Sequence, residues 1–294
     1  MATVIEALNL TKRYGRTIAV DDVSFVAAPG RVTGFLGLNG SGKTTTLRML
    51  LGLSRATSGD ALINGRRFRN LRDPVRQVGA VLEQGVSHPG QTGRAHLTSQ
   101  AVLAGAGRAR VDHLLGYVGL EHAADERTGG YSLGMRQRLA VATALLGDPA
   151  VLVLDEPANG LDPEGIAWLR ELVREHARNG GTVLISSHLL AELAKVIDDV
   201  VIIAKGRIRR AMPLAELYGS TAHRLRIRGR DPRRLWQALE RAGGQVRTEG
   251  QVLEVVGLSP EQAGEIAFGA QVPVYELAVD TPNLEQIFFE LAAA

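Results

Sequence analysis

Residues Gly37 to Thr45 read GLNGSGKTT and lie between an apolar run, Val32 to Leu36, and a helix-like run, Thr44 to Leu51. A glycine-rich loop in that setting constrains the chain more than any other stretch. The glycines let the backbone fold tightly and turn successive N–H groups inward, which makes a nest for phosphate oxygens. The helix N-terminus behind the loop adds a potential that favours anions. In such a loop Lys43 reaches the β- and γ-phosphates and Thr44 offers its hydroxyl to Mg2+. The motif predicts nucleotide binding on a strand–loop–helix unit. It leaves open what the nucleotide energy is used for.

A length of 294 residues allows one large domain or two of ordinary size. With 45% hydrophobic and 22% charged residues, the chain can bury a core, which excludes a disordered protein. Cysteine is absent, so disulfide and thiol chemistry are excluded. The first residues, MATVIEALNLTKRYG, lack the basic start and apolar run of a signal peptide. No run approaches the roughly 18 apolar residues of a membrane span. The expectation is a soluble protein, or one held at a membrane through a partner. The net charge is +3, and only Lys12, Lys43, Lys195 and Lys205 among the basic residues are lysines. The arginines are dispersed among acidic residues and aromatics are few, so no nucleic-acid partner is expected.

In chain order, Val4 to Leu10 and Ala19 to Val26 alternate apolar and polar residues and predict an antiparallel pair. Tyr14 sits between them beside a turn glycine, where an aromatic serves either packing or stacking on a flat ring such as adenine. Gly59 to Ile63 and Val78 to Leu82 read as strands, with a basic, turn-rich link between them. Residues 86 to 130 lean to helix, are rich in Gly and Ala, and read as a small helical insertion. Ser132 is a good N-cap for the helix that follows. Val151 to Leu154 is continuously apolar, the mark of a strand buried on both faces of a parallel sheet. Asp162-Pro163 starts a helix to about Asn179. Thr182 to Ser186 is the next strand, Leu189 to Val196 a helix, and Val200 to Ala204 with Arg207 to Arg210 a hairpin. The alternation argues for an α/β sheet. After about residue 220 the order becomes β-α-β-β-α-β, with a capping box at Ser259 to Gln262, which fits a ferredoxin-like unit. A last helix carries Leu284, Ile287, Phe288 and Leu291 on one stripe, a core or interface pattern. No catalytic constellation follows His188.

The buried strand Val151 to Leu154 ends in Asp155-Glu156. A phosphate-loop ATPase needs such a pair: one carboxylate, Asp155, on Mg2+, and the other, Glu156, to take the proton from an attacking water.

These features together resemble an ABC ATPase, the nucleotide-binding subunit of an ABC transporter. GLNGSGKTT matches the family's P-loop, YSLGMRQRLAVATALL its signature segment, VLVLDEPANGLDP its Walker B strand and D-loop, and LISSHLLAEL its switch-histidine segment. The four occur in the family's order over about 200 residues. The resemblance implies an ABC cassette over residues 1–220, with an antiparallel N-terminal β subdomain and a helical subdomain at about 86–148. A small α+β ferredoxin-like accessory domain follows over 221–294. It implies ATP and Mg2+ as cofactors. Tyr14 would stack on adenine, and Gly37, Leu38, Asn39, Gly40, Ser41, Gly42, Lys43, Thr44 and Thr45 would wrap the phosphates. Glu156 would be the general base and His188 the sensor of the γ-phosphate, with Lys43 completing the catalytic set. Asp162 would couple two sites across a head-to-tail dimer with a second copy. There Ser132 and Gly134 would bind the γ-phosphate held by the opposite subunit, ATP gluing the pair.

Two departures from the family pattern stand out. The usual LSGGQ is Tyr131-Ser132-Leu133-Gly134-Met135 here, and the usual Gln after the strand Val78 to Leu82 is Glu83, a further oxygen donor for the metal. The spellings DEPANGLDP and YSLGMRQRL, with a C-terminal domain ending in PNLEQIFFEL, resemble the drug- and antibiotic-resistance exporters. That branch implies export of a hydrophobic drug-like, antibiotic or lipid substrate through a separate membrane-spanning permease, with this chain peripheral on the cytoplasmic face of the cell membrane. The alternative is a non-transport ABC ATPase acting on ribosome or DNA. Such relatives carry two cassettes or a long coiled coil, whereas one P-loop occurs here. About ninety residues separate Lys43 from Ser132 without sustained heptads. A binding module without hydrolysis is opposed by the intact Lys43, Asp155, Glu156 and His188.

Overall fold

The computed structural model describes residues 4–82, 87–220, 224–280 and 283–293. The expected antiparallel pair is present as β1 (Ile5–Tyr14) and β2 (Thr17–Ala27), joined by a tight turn at Gly15. β3 (Val32–Leu36) leads into α1 (Lys43–Leu50), and β4 (Ser58–Ile63) returns to pair with β1, giving the sheet β2-β1-β4. The basic link then forms a short helix, α2 (Pro74–Gln77), before β5 (Val78–Val81).

The insertion is helical as expected: α3 (Gly93–Ala104), α4 (Arg108–Tyr117) and α5 (Leu133–Ala144) pack on one another. Thr92 and Ser132 cap α3 and α5, each accepting an N–H bond from the third residue on, at 3.1 Å. The chain continues through β6 (Val151–Leu154), α6 (Pro163–Arg178), β7 (Thr182–Ser186), α7 (Leu190–Leu193), β8 (Asp199–Ala204) and β9 (Arg207–Pro213). The expected helix from Leu189 to Val196 is thus a single turn.

The central sheet has the order β5-β6-β7-β3-β8-β9, parallel except for β9. Every residue of β3, β6 and β7 is buried. Apolar runs without alternation therefore do what they predicted: they sit between two layers and present no wet face. Adjacent parallel strands end at one edge, so the segments after Leu36, Leu154 and Ser186 are brought together.

The chain divides into two compact units, Met1–Leu214 with Leu291–Ala294, and Ala215–Glu290. At their junction lies a helix the sequence reading did not anticipate, α8 (Leu214–Ser220), whose seven residues close on the poor helix formers Gly219 and Ser220. The expected boundary at 220/221 adjoins residues 221–223, which are outside the described residues.

The second unit contains β10 (Arg224–Gly229), α9 (Pro232–Arg241), β11 (Gln245–Glu249), β12 (Val252–Val256), α10 (Pro260–Gly269), β13 (Val274–Asp280) and α11 (Leu284–Ala293) as far as Glu290. Its sheet is antiparallel with order β11-β12-β10-β13, the arrangement of a split βαβ unit run twice. The capping box forms, with Ser259 and Gln262 exchanging bonds of 2.9 and 3.2 Å. β13 starts at Val274 and not at Val272, because the Val272 N–H bonds back to Ala267 O at the end of α10 and Pro273 has no N–H to give. Of the final stripe, Leu284, Ile287 and Phe288 are buried and Leu291 is half-buried.

Candidate nucleotide site

The phosphate loop runs from β3 into α1. Gly42, with φ 109°, immediately precedes α1, and a Cβ there would come within 2.7 Å of Ala19 O, so the loop closes onto β2 only without a side chain at this point. The Lys43 ammonium is almost wholly buried and donates to Gly37 O at 2.6 Å, with Leu38 O at 3.4 Å. The Ser41 hydroxyl is buried with no partner among the described residues.

Three strand ends meet here. Thr44 Oγ1 donates to Asp155 Oδ2 at 2.8 Å, tying α1 to the end of β6. Ser186 Oγ, at the end of β7, donates to Asp155 Oδ1 at 2.5 Å and accepts the Glu156 N–H at 2.9 Å. Glu156 has φ 50°, a left-handed conformation that costs a non-glycine residue about 1–3 kcal/mol and persists where the surroundings fix it. Those surroundings are the Ser186 hydroxyl on its N–H and His188 on its side chain. The His188 backbone N–H donates to Glu156 Oε2 at 3.1 Å, and His188 Nδ1 lies 2.7 Å from the same oxygen.

Leu38, Asn39, Gly40, Gly42, Lys43, Thr44, Thr45, Asp155 and Glu156 line one open cleft of about 200 Å³, with Ala19 on its wall. His188 joins this group through Glu156. Thr44 and Asp155 present a hydroxyl and a carboxylate oxygen side by side, the hard donors a divalent cation such as Mg2+ takes. Among the described residues no group of three or more His, Asp and Glu could hold a metal ion.

Other expected residues stand apart from this cleft. Tyr14 is 52% exposed and is not on its wall; the Lys12 ammonium lies 4.7 Å from its ring centre. Ser132 and Gly134 sit at the start of α5, also off the wall. Leu133 leans on the loop after Glu156. A Cβ at Gly160, whose φ is 75°, would collide with Leu133 Cγ and Cδ2, and one at Gly134 would come within 2.9 Å of Gly160 O. Asp162 caps α6, accepting the Gly165 N–H at 2.8 Å. Glu83 lies outside the described residues.

The sequence reading assigned no role to Ser186 or Gly160. Ser186 had a signal, a hydroxyl ending a buried strand two residues before His188. Gly160 had only its type, since nothing in linear order ties it to Leu133.

A family profile described as ABC transporter matches residues 20–159, and one described as a domain of unknown function, DUF8746, matches residues 223–285. The chain is 41% identical over 220 residues to the bacitracin transport ATP-binding protein BcrA of Bacillus licheniformis, covering 74% of this chain and 72% of the relative. It is 35% identical over 295 residues to the ABC transporter ATP-binding protein YhcH of Bacillus subtilis, covering 99% of this chain and 96% of the relative. A solved structure of an ATP-binding subunit of an ABC transporter superposes with a TM-score of 0.68 at 30% identity, over 74% of this chain and 92% of that one.

Proposed function

The chain belongs to the ABC transporter ATP-binding family and is an ATPase subunit; on that premise we propose that it drives export of an antibiotic or similar hydrophobic compound through a separate membrane permease. The observation that carries the reading is the convergence of Thr44, Asp155, Glu156, Ser186 and His188 through bonds of 2.5–2.9 Å beside the phosphate loop. Lys43 exchanges its loop carbonyls for β- and γ-phosphate oxygens. Thr44 and Asp155 hold Mg2+, with Glu83 as a further oxygen donor. The ion's chemistry is to offset charge on the phosphate whose bond breaks. Glu156 accepts the proton of the attacking water, and His188 fixes the carboxylate in place. Tyr14 stacks on adenine.

The phosphate grip is completed by Ser132 and Gly134 of a second copy, since the N-terminus of α5 is an anion-favouring position that the chain's own cleft does not use. Asp162 links the two sites. The pair sits on the cytoplasmic face of the membrane, held by the permease; none of the helices, among the described residues, is long and apolar enough to cross. Residues 221–294 form an accessory domain. The likeness to a bacitracin transport protein supports the antibiotic class of cargo.

The test is to purify the tagged chain from detergent-solubilised membranes and identify its companion, then measure export of bacitracin-like peptides with and without the Glu156→Gln change. A multi-spanning companion and export lost in the variant are expected. Ribosomes or DNA as companions would refute the transporter reading.

A further inference from the structure

Between Ser132 and Gly134 lies a residue that the nucleotide chemistry leaves unused, Leu133. It is the first residue of α5, directly after the Ser132 cap, and it is half-buried. What half-buries it includes the backbone of Gly160, whose missing side chain leaves room for Leu133 Cγ and Cδ2. The next residue, Gly134, faces Gly160 O and Leu161 Cδ2, at 2.9 and 3.7 Å from where its Cβ would be. Two consecutive residues of the helix start therefore rest on two consecutive residues of the loop.

That loop is fixed at both ends by other means. At its start the Glu156 N–H is held by Ser186, and Asn159 N–H donates to Glu156 O at 3.1 Å. At its end Asp162 caps α6. Between them Gly160 has a left-handed backbone, and Leu133 lies against it. A helix start and a loop in contact through an interlocked leucine and a bare glycine shift together, because close-packed contacts of this kind do not slide freely.

We propose that Leu133 is a positioning residue that locks the phosphate-gripping start of α5 to the loop carrying the general base, so that the two move as one piece. The inference rests on the reading of a two-copy site given above. There, Glu156 acts on the chain's own ATP, whereas Ser132 and Gly134 grip the ATP of the partner copy. Leu133 then joins the two sites mechanically: a shift of the Glu156 loop after hydrolysis at one site withdraws the grip at the other. A glycine at this position, the family's usual residue, leaves no side chain to lock.

The experiment compares the full chain with Leu133→Ala and Leu133→Gly. Without nucleotide, amide hydrogen exchange at Asn159 and Leu161 rises on the order of tenfold in both variants if Leu133 holds the loop. With Mg-ATP, the KM stays within about twofold because the phosphate loop is untouched, kcat falls on the order of tenfold, and the Hill coefficient of hydrolysis moves toward one. A merely structural role would lower the melting temperature without moving the Hill coefficient. Exchange, kcat and Hill coefficient all as in the unchanged protein overturn the lock. A rise in exchange, with no ATP-dependent dimer of the Glu156→Gln protein in light scattering, overturns the two-copy reading while leaving the contact itself standing.

Discussion

Of the three sheets, the central one and that of the second unit both bury apolar side chains, yet the candidate nucleotide site lies at the edge of the central sheet alone. In the central sheet, β6, β7 and β3 are neighbours and parallel, so their carboxyl ends share one edge. The segments at that edge bring Lys43, Thr44, Asp155 and Glu156 to one cleft, with Ser186 bonded to Asp155 and His188 to Glu156. In the second unit all pairings are antiparallel, so neighbouring strands in the sheet end at opposite edges. Its apolar residues Leu225, Ile227, Leu253 and Val255 face a core of their own, and on β10 Arg224, Arg226 and Arg228 alternate with Leu225 and Ile227. The difference teaches that strand direction, more than composition, decides whether loop residues can converge.

The largest effect that would test this contrast is in the first unit. Glu156→Gln should lower ATP turnover by about 10²–10⁴-fold, the usual worth of a positioned base, while ATP binding survives; a single-turnover assay with a binding titration checks it, and turnover at the unchanged rate would remove Glu156 from the mechanism. Lys43→Ala removes a charge-assisted phosphate contact of about 1.5–3 kcal/mol, so ATP should bind about ten- to a hundredfold more weakly by calorimetry. Gly160→Ala sets a methyl group against Leu133 in a left-handed conformation and should cost about 1–3 kcal/mol in chemical denaturation. Adding Leu133→Ala should recover part of that cost, and strict additivity would show that the two residues do not meet.

Smaller effects separate the units. Burial pushes His96 and His176, both in the first unit, below the ordinary value of 6.5, so folding disfavours their protonation. At these two positions the unfolded chain takes up protons near pH 6.5, whereas the folded chain takes them up only at lower pH. The stabilisation is therefore complete above that pH and is lost as pH falls through it, by at most about 1.4 kcal/mol per pH unit for each histidine. The second unit has one histidine, His223, which lies outside the described residues, against the two buried histidines of the first, so melts from pH 8 to pH 5 should lower the first unit's transition by the larger amount. The least change is expected from deleting residues 221–294, which should leave ATP affinity within about twofold. A folded but ATP-blind truncation would end the separation of the two regions.

How far the chain was legible follows from the range of the signals. The phosphate loop, the Asp155-Glu156 strand end and the Ser132, Asp162 and Ser259 caps are local, and each formed the element its residues predicted. α8 was missed because its seven residues have no start signal and a weak end. The helix after Leu189 was overextended because its apolar spacing continues past Leu193, where the backbone turns. Ser186 holding Asp155, and Leu133 resting on Gly160, join positions 31 and 27 residues apart and leave no periodic trace.

The sequence by itself determined the family, the α/β and ferredoxin-like elements and the residue types of the phosphate chemistry, because those depend on side chains at fixed short spacings. Only the tertiary structure decided which of them meet. Strand order brings Asp155 between Thr44 and Ser186, and sets His188 on Glu156. The same order leaves Tyr14, Ser132 and Gly134 off the cleft wall. Hydrogen bonds of less than 3 Å require convergence in space, and a linear spacing cannot encode convergence across a parallel sheet.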